Sequence, residues 1–251
     1  MKPNEILHGN CLDIVSKYPD NYFDMALCDL PYGTTSCKWD TIIPLKPLWK
    51  HYKRIVKDTG AIVLTASQPF TSVLVMSNPG MFKYEWIWEK SRASDFINAN
   101  FRPMKKHESV LVFSQGGAAP GCNLPMNYNP QGVIYKDRKR TRKGSLGIGR
   151  DRESQQGDYI SKGTNYPNSI LEIKNEKKTL HPTQKPVELF EYLINTYTNI
   201  GDIVLDNCAG SGTTGEACSN LGRNFVLIEK ERKYYDICVE RIQAMGVKIN
   251  A

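Results

Sequence analysis

Six short apolar runs punctuate the chain: FDMALCD (23–29), AIVLTAS (61–67), YEWIWEK (84–90), SVLVFSQ (109–115), DIVLDNC (202–208) and NFVLIEK (224–230). Each has strand length, is rich in β-branched or aromatic residues and stops at polar or turn-forming positions. Between them apolar residues return at three- and four-residue spacing, which predicts helices over about 45–57, 69–78, 186–198, 213–221 and 231–245. Strands alternating with helices predict an α/β domain around a largely parallel sheet, where ligands gather at the carboxyl ends of the strands. Asp29 and Asp206 each end a run and precede a turn-forming stretch, so both are expected at one crevice.

The alternation fails between about 116 and 178, where Gly, Pro, Asn and basic residues replace apolar periodicity. The predicted organisation is one domain in two pieces, residues 1–115 and 179–251, with 116–178 inserted over the site. Charge then gives the insertion a character of its own. The chain has a formal net charge of +7, and from Gln115 to Leu180 there are 12 Lys+Arg against 6 Asp+Glu, a net +6. The densest piece, YKDRKRTRKGSLGIGRDR, is read as a loop. Its Lys136, Arg138, Lys139, Arg140, Arg142 and Lys143 offer a phosphate-contact surface, because neutralised phosphates release counterions.

Composition narrows the class. With 251 residues, 40% hydrophobic and 24% charged, the chain is globular rather than disordered. No uninterrupted apolar run approaches the roughly 18 to 20 residues that span a bilayer, so no membrane is expected as a partner. The start MKPNEILHGN lacks the apolar stretch of a signal peptide, which predicts a cytoplasmic location. Seven scattered cysteines without a C-x-x-C pair and four distant histidines predict neither a disulfide framework nor a metal site.

The clearest supersecondary unit is DIVLDNCAGSGTTGEACSNLGRNFVLIEK. A strand runs into Gly210-Ser211-Gly212-Thr213-Thr214-Gly215, then a helix, then a second strand ending at Glu229, 19 positions beyond the first glycine. Glycines let the backbone approach a ligand closely, and a carboxylate at the next strand end accepts hydrogen bonds from ribose hydroxyls. A dinucleotide such as NAD and S-adenosylmethionine both satisfy this pattern, and the loop alone does not choose. A single βαβ unit and a helix remain downstream, so the rest of the sheet is expected from upstream sequence.

With Asp29-Leu30-Pro31-Tyr32 upstream of DNCAGSGTTGEAC, the chain resembles the amino-methyltransferases that modify exocyclic nitrogens of DNA bases, in the motif order of their β group. HGNCLDIV is similar to that family's G-D-C-L-D segment and HPTQKPVEL to its H-P-t-x-K-P block, so the resemblance runs from about 5 to 245. It implies a circularly permuted Rossmann-like methyltransferase fold, a mostly parallel seven-stranded sheet with the target-recognition region at the basic insertion. It implies S-adenosyl-L-methionine as cofactor, held by Asn10, Cys11, Asp29, His181, Thr183, Lys185, Asp206, Cys208, Gly210, Ser211, Gly212, Thr213 and Glu229. The chain departs from the family pattern at Leu30, where a proline is usual, at Asn10, where aspartate is usual, and at Asn207 and Cys208, in place of proline and phenylalanine.

The implied chemistry explains the catalytic set Asp29, Leu30, Pro31 and Tyr32. An exocyclic amino group is a poor nucleophile because its lone pair is delocalised into the ring. Acceptors beside its N–H bonds, Asp29 Oδ and the Leu30 carbonyl, favour charge development as nitrogen attacks a sulfonium methyl. Pro31 restricts the backbone that presents the carbonyl. The target atom lies inside a duplex, so the base is expected to flip out and stack on Tyr32. Trp86 and Trp88 alternate as strand residues, with one face core and Trp88 the candidate for a base pocket; His107 and Glu108 are read as structural or pocket-supporting. The expected activity is site-specific methylation of adenine N6 in double-stranded DNA, as in restriction-modification. Cytosine-N4 methylation, a dinucleotide-dependent oxidoreductase and a non-catalytic nucleic-acid-binding protein are the alternatives. A homodimer and a separate cognate endonuclease are the further partners considered.

Overall fold

The apolar runs become strands with apolar cover on both faces. Met25 and Leu27, Ala61 and Val63, and Val110 and Val112 pack with Leu189, Phe190 and Leu193 on one side. Their alternate neighbours Ala26 and Cys28, Ile62 and Leu64, and Leu111 and Phe113 pack with Val15, Leu48, Tyr52 and Phe70 on the other. A period of two buried on both faces is the signature of a sheet between two helical layers.

The computed structural model describes residues 3–35, 37, 39–142, 157–177 and 179–250, with the backbone alone for 141, 142 and 157–159. Two compact units are present, one running to Asn129 and resuming at Ser169, the other spanning Pro130–Asn168. In the larger unit the strands are β1 (Glu5–His8), β2 (Phe23–Cys28), β3 (Val56–Ala66), β4 (Phe82–Ser94), β5 (Lys105–Phe113), β8 (Ile170–Ile173), β9 (Ile203–Asp206) and β10 (Asn224–Glu229). Its helices are α1 (Cys11–Val15), α2 (Leu45–Ile55), α3 (Phe70–Ser77), α4 (Val187–Tyr197), α5 (Thr213–Asn220) and α6 (Arg232–Ala244). Among the described residues the sheet order is β1-β10-β9-β2-β3-β5-β4-β8. β5 is antiparallel to both its neighbours, and every other pairing is parallel. No helix among them is long and apolar enough to cross a membrane.

This order creates the crevice. From β2 the chain crosses through α2 to β3 on one side, and from β9 through α5 to β10 on the other. β2 and β9 are neighbours, with Met25 opposite Val204 and Ala26 opposite Leu205. Their carboxyl ends therefore part at a topological switch point, where open α/β sheets bind ligands. Asp29 follows β2 and Asp206 ends β9.

Three features differ from the sequence reading. An eighth strand, β8, extends the sheet beside β4, from Ile87 opposite Ile170 to Lys90 opposite Ile173. Its four residues bury only Leu171 and Ile173, too short a signal to stand out inside a polar stretch. The separate unit is also narrower than 116–178. Residues before it belong to the larger unit, where Met126 is buried and Asn127 N donates to Thr59 O at 2.8 Å. Finally, the described part of the basic run, up to Arg142, is not a loop: it lies in β6 (Ile134–Arg142), paired antiparallel with β7 (Gly157–Thr164), and its remainder, from Lys143 on, lies outside the described residues. Backbone ladder bonds hold that ribbon, and they leave no apolar periodicity to read.

Candidate active site

The turn after β2 is held by a carboxylate. Asp40 accepts from the backbone N–H groups of Gly33 (2.8 Å), Thr34 (2.9 Å) and Thr35 (2.7 Å). Burial alone would push its carboxyl up, but these hydrogen bonds outweigh burial and hold it below the usual range. Gly33 has φ +66°, a backbone conformation that favours glycine, and a Cβ there would crowd the Ile42 side chain at 3.0 Å. The Leu30 side chain is buried in the core, which anchors the backbone between Asp29 and Tyr32.

Asp29 is gripped at both oxygens. Tyr32 donates to Oδ1 at 2.8 Å and the Thr65 hydroxyl also lies on Oδ1. Lys185 Nζ donates to Oδ2 at 2.7 Å. The Tyr32 ring stacks on Phe70 with centroids 5.4 Å apart and planes at 23°, and Lys185 Nζ lies 5.5 Å from its centre.

Lys185 continues into a ladder of charges. Its Nζ is 3.4 Å from Glu108 Oε2, and Lys90 Nζ pairs with Glu108 Oε1. Sheet register builds this group: Trp88 lies opposite Glu108, and Lys90 is two residues along the same face. Burial pulls Lys185 down, but Asp29 and Glu108 outweigh it and raise the ammonium. Burial pushes Glu108 up, and Lys185 with Lys90 holds it below its ordinary value. Both groups are thus charged near neutral pH. Among the described residues Glu108 Oε2, though buried, has no hydrogen-bond partner. Trp88 is buried beside this group and donates its indole N–H to Ile173 O at 2.8 Å, whereas His107 projects to solvent.

The glycine loop follows a different rule. Asp206 accepts from Cys208 N at 3.0 Å and from the Thr214 hydroxyl at 2.5 Å, and burial pushes its carboxyl up to about 7. Glu229 accepts from Gly210 N and Glu231 N, both at 2.8 Å, and burial raises it as well. Gly212, φ +84°, precedes α5 where a Cβ would meet Cys238 Sγ at 2.7 Å. Asn207 Oδ1 takes the Tyr52 hydroxyl at 2.5 Å and the Cys28 thiol at 3.0 Å, which secures the loop to β2 and α2. Asn10 caps α1 by accepting from Leu12 N at 2.9 Å, and Cys11 opens that helix. His181 Nδ1 lies 3.1 Å from Thr183 Oγ1, with its ring 4.1 Å from Tyr234 and 5.0 Å from Trp39. Ser211 donates to Gln184 Oε1 at 2.9 Å.

Asp29, Tyr32, Lys185, Glu108, Asp206, Glu229 and the glycine loop meet at one cavity of about 560 Å³. Its lining includes every residue assigned from the sequence to catalysis or cofactor except Gly212, which supports the loop from behind. Lys185, assigned to the cofactor by resemblance, has its Nζ committed to Asp29 and Glu108. Trp39, Asp40, Lys90, Lys105, Gln184 and Tyr234 also line the cavity and were not singled out by the sequence reading. None belongs to a local motif; sheet register and loop packing bring them in. The side chains of Lys136, Arg138, Lys139 and Arg140 are exposed on β6. Arg142 is described by its backbone alone, and Lys143 lies outside the described residues.

Residues 23–240 match the DNA methylase family N6_N4_Mtase. The chain is 26% identical to the type II methyltransferase M.BglII of Bacillus subtilis, over 94% of this chain and 68% of that protein. It is 27% identical to the type II methyltransferase M1.MboII of Moraxella bovis, over 92% and 93%. Among solved structures, the M1.HpyAVI–SAM complex superposes with a TM-score of 0.61 at 25% identity, over 94% of this chain and 98% of that one. The cytosine-N4-specific PvuII DNA methyltransferase shares the fold, with a TM-score of 0.68 at 16% identity over 100% and 89%.

Proposed function

The chain belongs to the DNA methylase family, a group of S-adenosylmethionine-dependent DNA amino-methyltransferases, and on that premise we propose that it methylates N6 of an adenine flipped out of duplex DNA. One observation carries the reading: Asp29 stands in the same cavity as the glycine loop, oriented at both oxygens by its neighbours.

The cavity suits a cationic nucleoside. About 560 Å³ lies within the roughly 300–1,000 Å³ of small-molecule sites. Asp206 is a buried carboxylate whose partners, a backbone N–H and a hydroxyl, are both neutral, so a bound cation would supply its missing counter-charge. Asp206, the loop from Cys208 to Thr213, Glu229 and Tyr234 would hold the cofactor. When bound, S-adenosylmethionine supplies a methyl group on a positively charged sulfur.

The protein's own part is to orient the amine and shape charge around it. Two hydroxyls lie on Asp29 Oδ1, whereas among the described residues Oδ2 meets Lys185 alone and keeps an acceptor site for an amino N–H. The Leu30 carbonyl takes the second N–H. Lys185 beside a nitrogen that gains positive charge would oppose the reaction, and Glu108 offsets it. The proton released after transfer passes to solvent, so no dedicated base is required. Tyr32, backed by Phe70, offers a rigid ring against which the base stacks. The exposed cations of β6 serve as contacts to phosphate, and the 130–168 unit as the target-recognition region, acting on DNA in the cytoplasm.

Aspartate at position 29, where serine marks the cytosine enzymes of the resembled family, favours N6; the fold shared with a cytosine-N4-specific enzyme supports N4 as the second reading. The test is incubation with S-adenosylmethionine and unmethylated random-sequence duplex DNA, followed by sequencing that distinguishes the two modified bases. N6-methyladenine in one sequence context is expected. N4-methylcytosine would reassign the base, and unmodified DNA despite bound cofactor would sink the activity.

A further inference from the structure

The turn that joins β4 to β5 exposes four large apolar side chains in ten residues, Phe96, Ile97, Phe101 and, less fully, Met104. Phe96 is 79% exposed, Ile97 90% and Phe101 89%. Isolated exposed apolar residues are ordinary; a group at one tip marks an interaction surface. This tip is also built rather than slack. Asp95, φ +73°, accepts from Asn98 Nδ2 at 2.5 Å and from Arg102 Nε at 2.9 Å. Backbone bonds from Asn98 N to Asp95 O (3.1 Å), Ala99 N to Phe96 O (3.0 Å) and Phe101 N to Asn98 O (2.9 Å) wind it into a tight turn. The fold thus braces the turn and still leaves its apolar groups in water.

Its position is the second observation. Ser94 and Lys105, paired across the base of the turn, both line the cavity that holds Asp29, so the tip rises from the rim of the candidate active site. From Lys90 to Lys106 the sequence has five Lys and Arg and a single acid, Asp95. An apolar tip on a basic stalk matches a polyanion with an apolar interior. Four side chains on a ten-residue turn fall short of the roughly 800 Å² per partner of a stable protein interface.

We propose that residues 95–104 form the wedge that enters the DNA stack at the step from which the target base leaves, with Phe96 and Ile97 filling the vacated space. This rests on the DNA-methylation reading above. Withdrawing a base from a duplex loses stacking and pairing worth a few kcal/mol, and apolar side chains inserted between base steps replace part of that contact. The wedge holds the gap open while the base occupies the cavity beside it.

The experiment compares the wild type with a Phe96→Ala, Ile97→Ala double variant on two duplexes containing the methylation site. One is fully paired, and the other is abasic opposite the target, where extrusion is easier. The variant should lose about 10- to 100-fold in kcat/KM on the paired duplex and stay within about threefold of wild type on the abasic one. Its melting temperature and cofactor affinity should be unchanged, and a Phe96→Leu, Ile97→Leu variant, which keeps apolar volume, should retain most of the activity. Wild-type rates on the paired duplex, or equal losses on both, would overturn the wedge. A variant whose mass in solution differs from the wild type would assign the surface to a second copy instead. Failure of the wild-type protein on both duplexes would bring down the methylation reading, and the wedge with it.

Discussion

Both halves of the cavity withdraw two acids from water, but they neutralise them in opposite ways. In the half proposed to hold the cofactor, Asp206 and Glu229 receive, among the described residues, only backbone N–H groups and a hydroxyl, and burial raises both carboxyls. In the half proposed to receive the target base, Asp29 and Glu108 are bound by Lys185 and Lys90, which keep Glu108 ionised. The first half is short of a cation and the second contains its own. A site that must attract a sulfonium and then receive a neutral base needs this asymmetry: an unmet negative charge where the cation sits, and a balanced set of charges where the amine is oriented.

The largest effect should come from Asp29→Ala. It removes the proposed acceptor for the amino group while Lys185 keeps Glu108 as a partner, so the fold survives. Loss of one oriented group that stabilises developing charge lowers kcat by about 10²- to 10³-fold. Methyl incorporation into DNA measures it, with cofactor and DNA binding as controls. A variant with near-normal kcat would remove the target half from the chemistry and break the comparison.

Glu108→Gln tests the balance within that half. The amide keeps the shape and leaves Lys185 paired with Asp29 alone, so its charge is no longer offset beside the reacting nitrogen. A decrease of about 10-fold in kcat is expected, on the order of 1.4 kcal/mol, with the KM for cofactor nearly constant. Because a structural loss would affect both halves, the split between kcat and KM is the deciding measurement. A rise in the cofactor KM equal to the fall in kcat would show that the ladder supports the whole cavity.

The two halves also differ in how far they could be read from sequence. The cofactor half is local: Asp206, the glycines and Glu229 lie within one strand–loop–helix–strand unit, and the turn chemistry of Gly210 and Gly212 needs only neighbouring residues. Asp29 was legible for the same reason, as a carboxylate at a strand end before Pro and Gly. The ladder was not. Glu108 meets Lys90 through the antiparallel register of β4 and β5, and Lys185 through a contact 77 residues distant. His107 and Glu108 look alike as neighbours in sequence, yet strand alternation sends one to solvent and the other into the cavity. The strand character of the basic residues up to Arg142 was hidden for a related reason: pairing with β7 sets it, and charged side chains carry no apolar period.

The smallest effect concerns the unmet charge of the cofactor half, and pH reveals it. Asp206 has a folded-state value of about 7 against an ordinary 3.8, so between these values the folded protein binds a proton that the unfolded chain has released. Its contribution to stability is therefore present at low pH and is lost as pH rises through about 7; Glu229, raised by burial, acts in the same direction. Without cofactor, the melting temperature should fall from pH 6 to pH 8, and Asp206→Asn should flatten the fall. Cofactor binding should run the other way. A cation favours the ionised carboxylate, so affinity for S-adenosylmethionine should rise by up to about tenfold per pH unit below 7 and level off above it. In Asp206→Asn, calorimetry should find weaker binding with little dependence on pH across this range. If the wild type binds equally well at pH 6 and pH 8, Asp206 does not supply the charge that meets the sulfonium, and the two halves would differ in structure without differing in function.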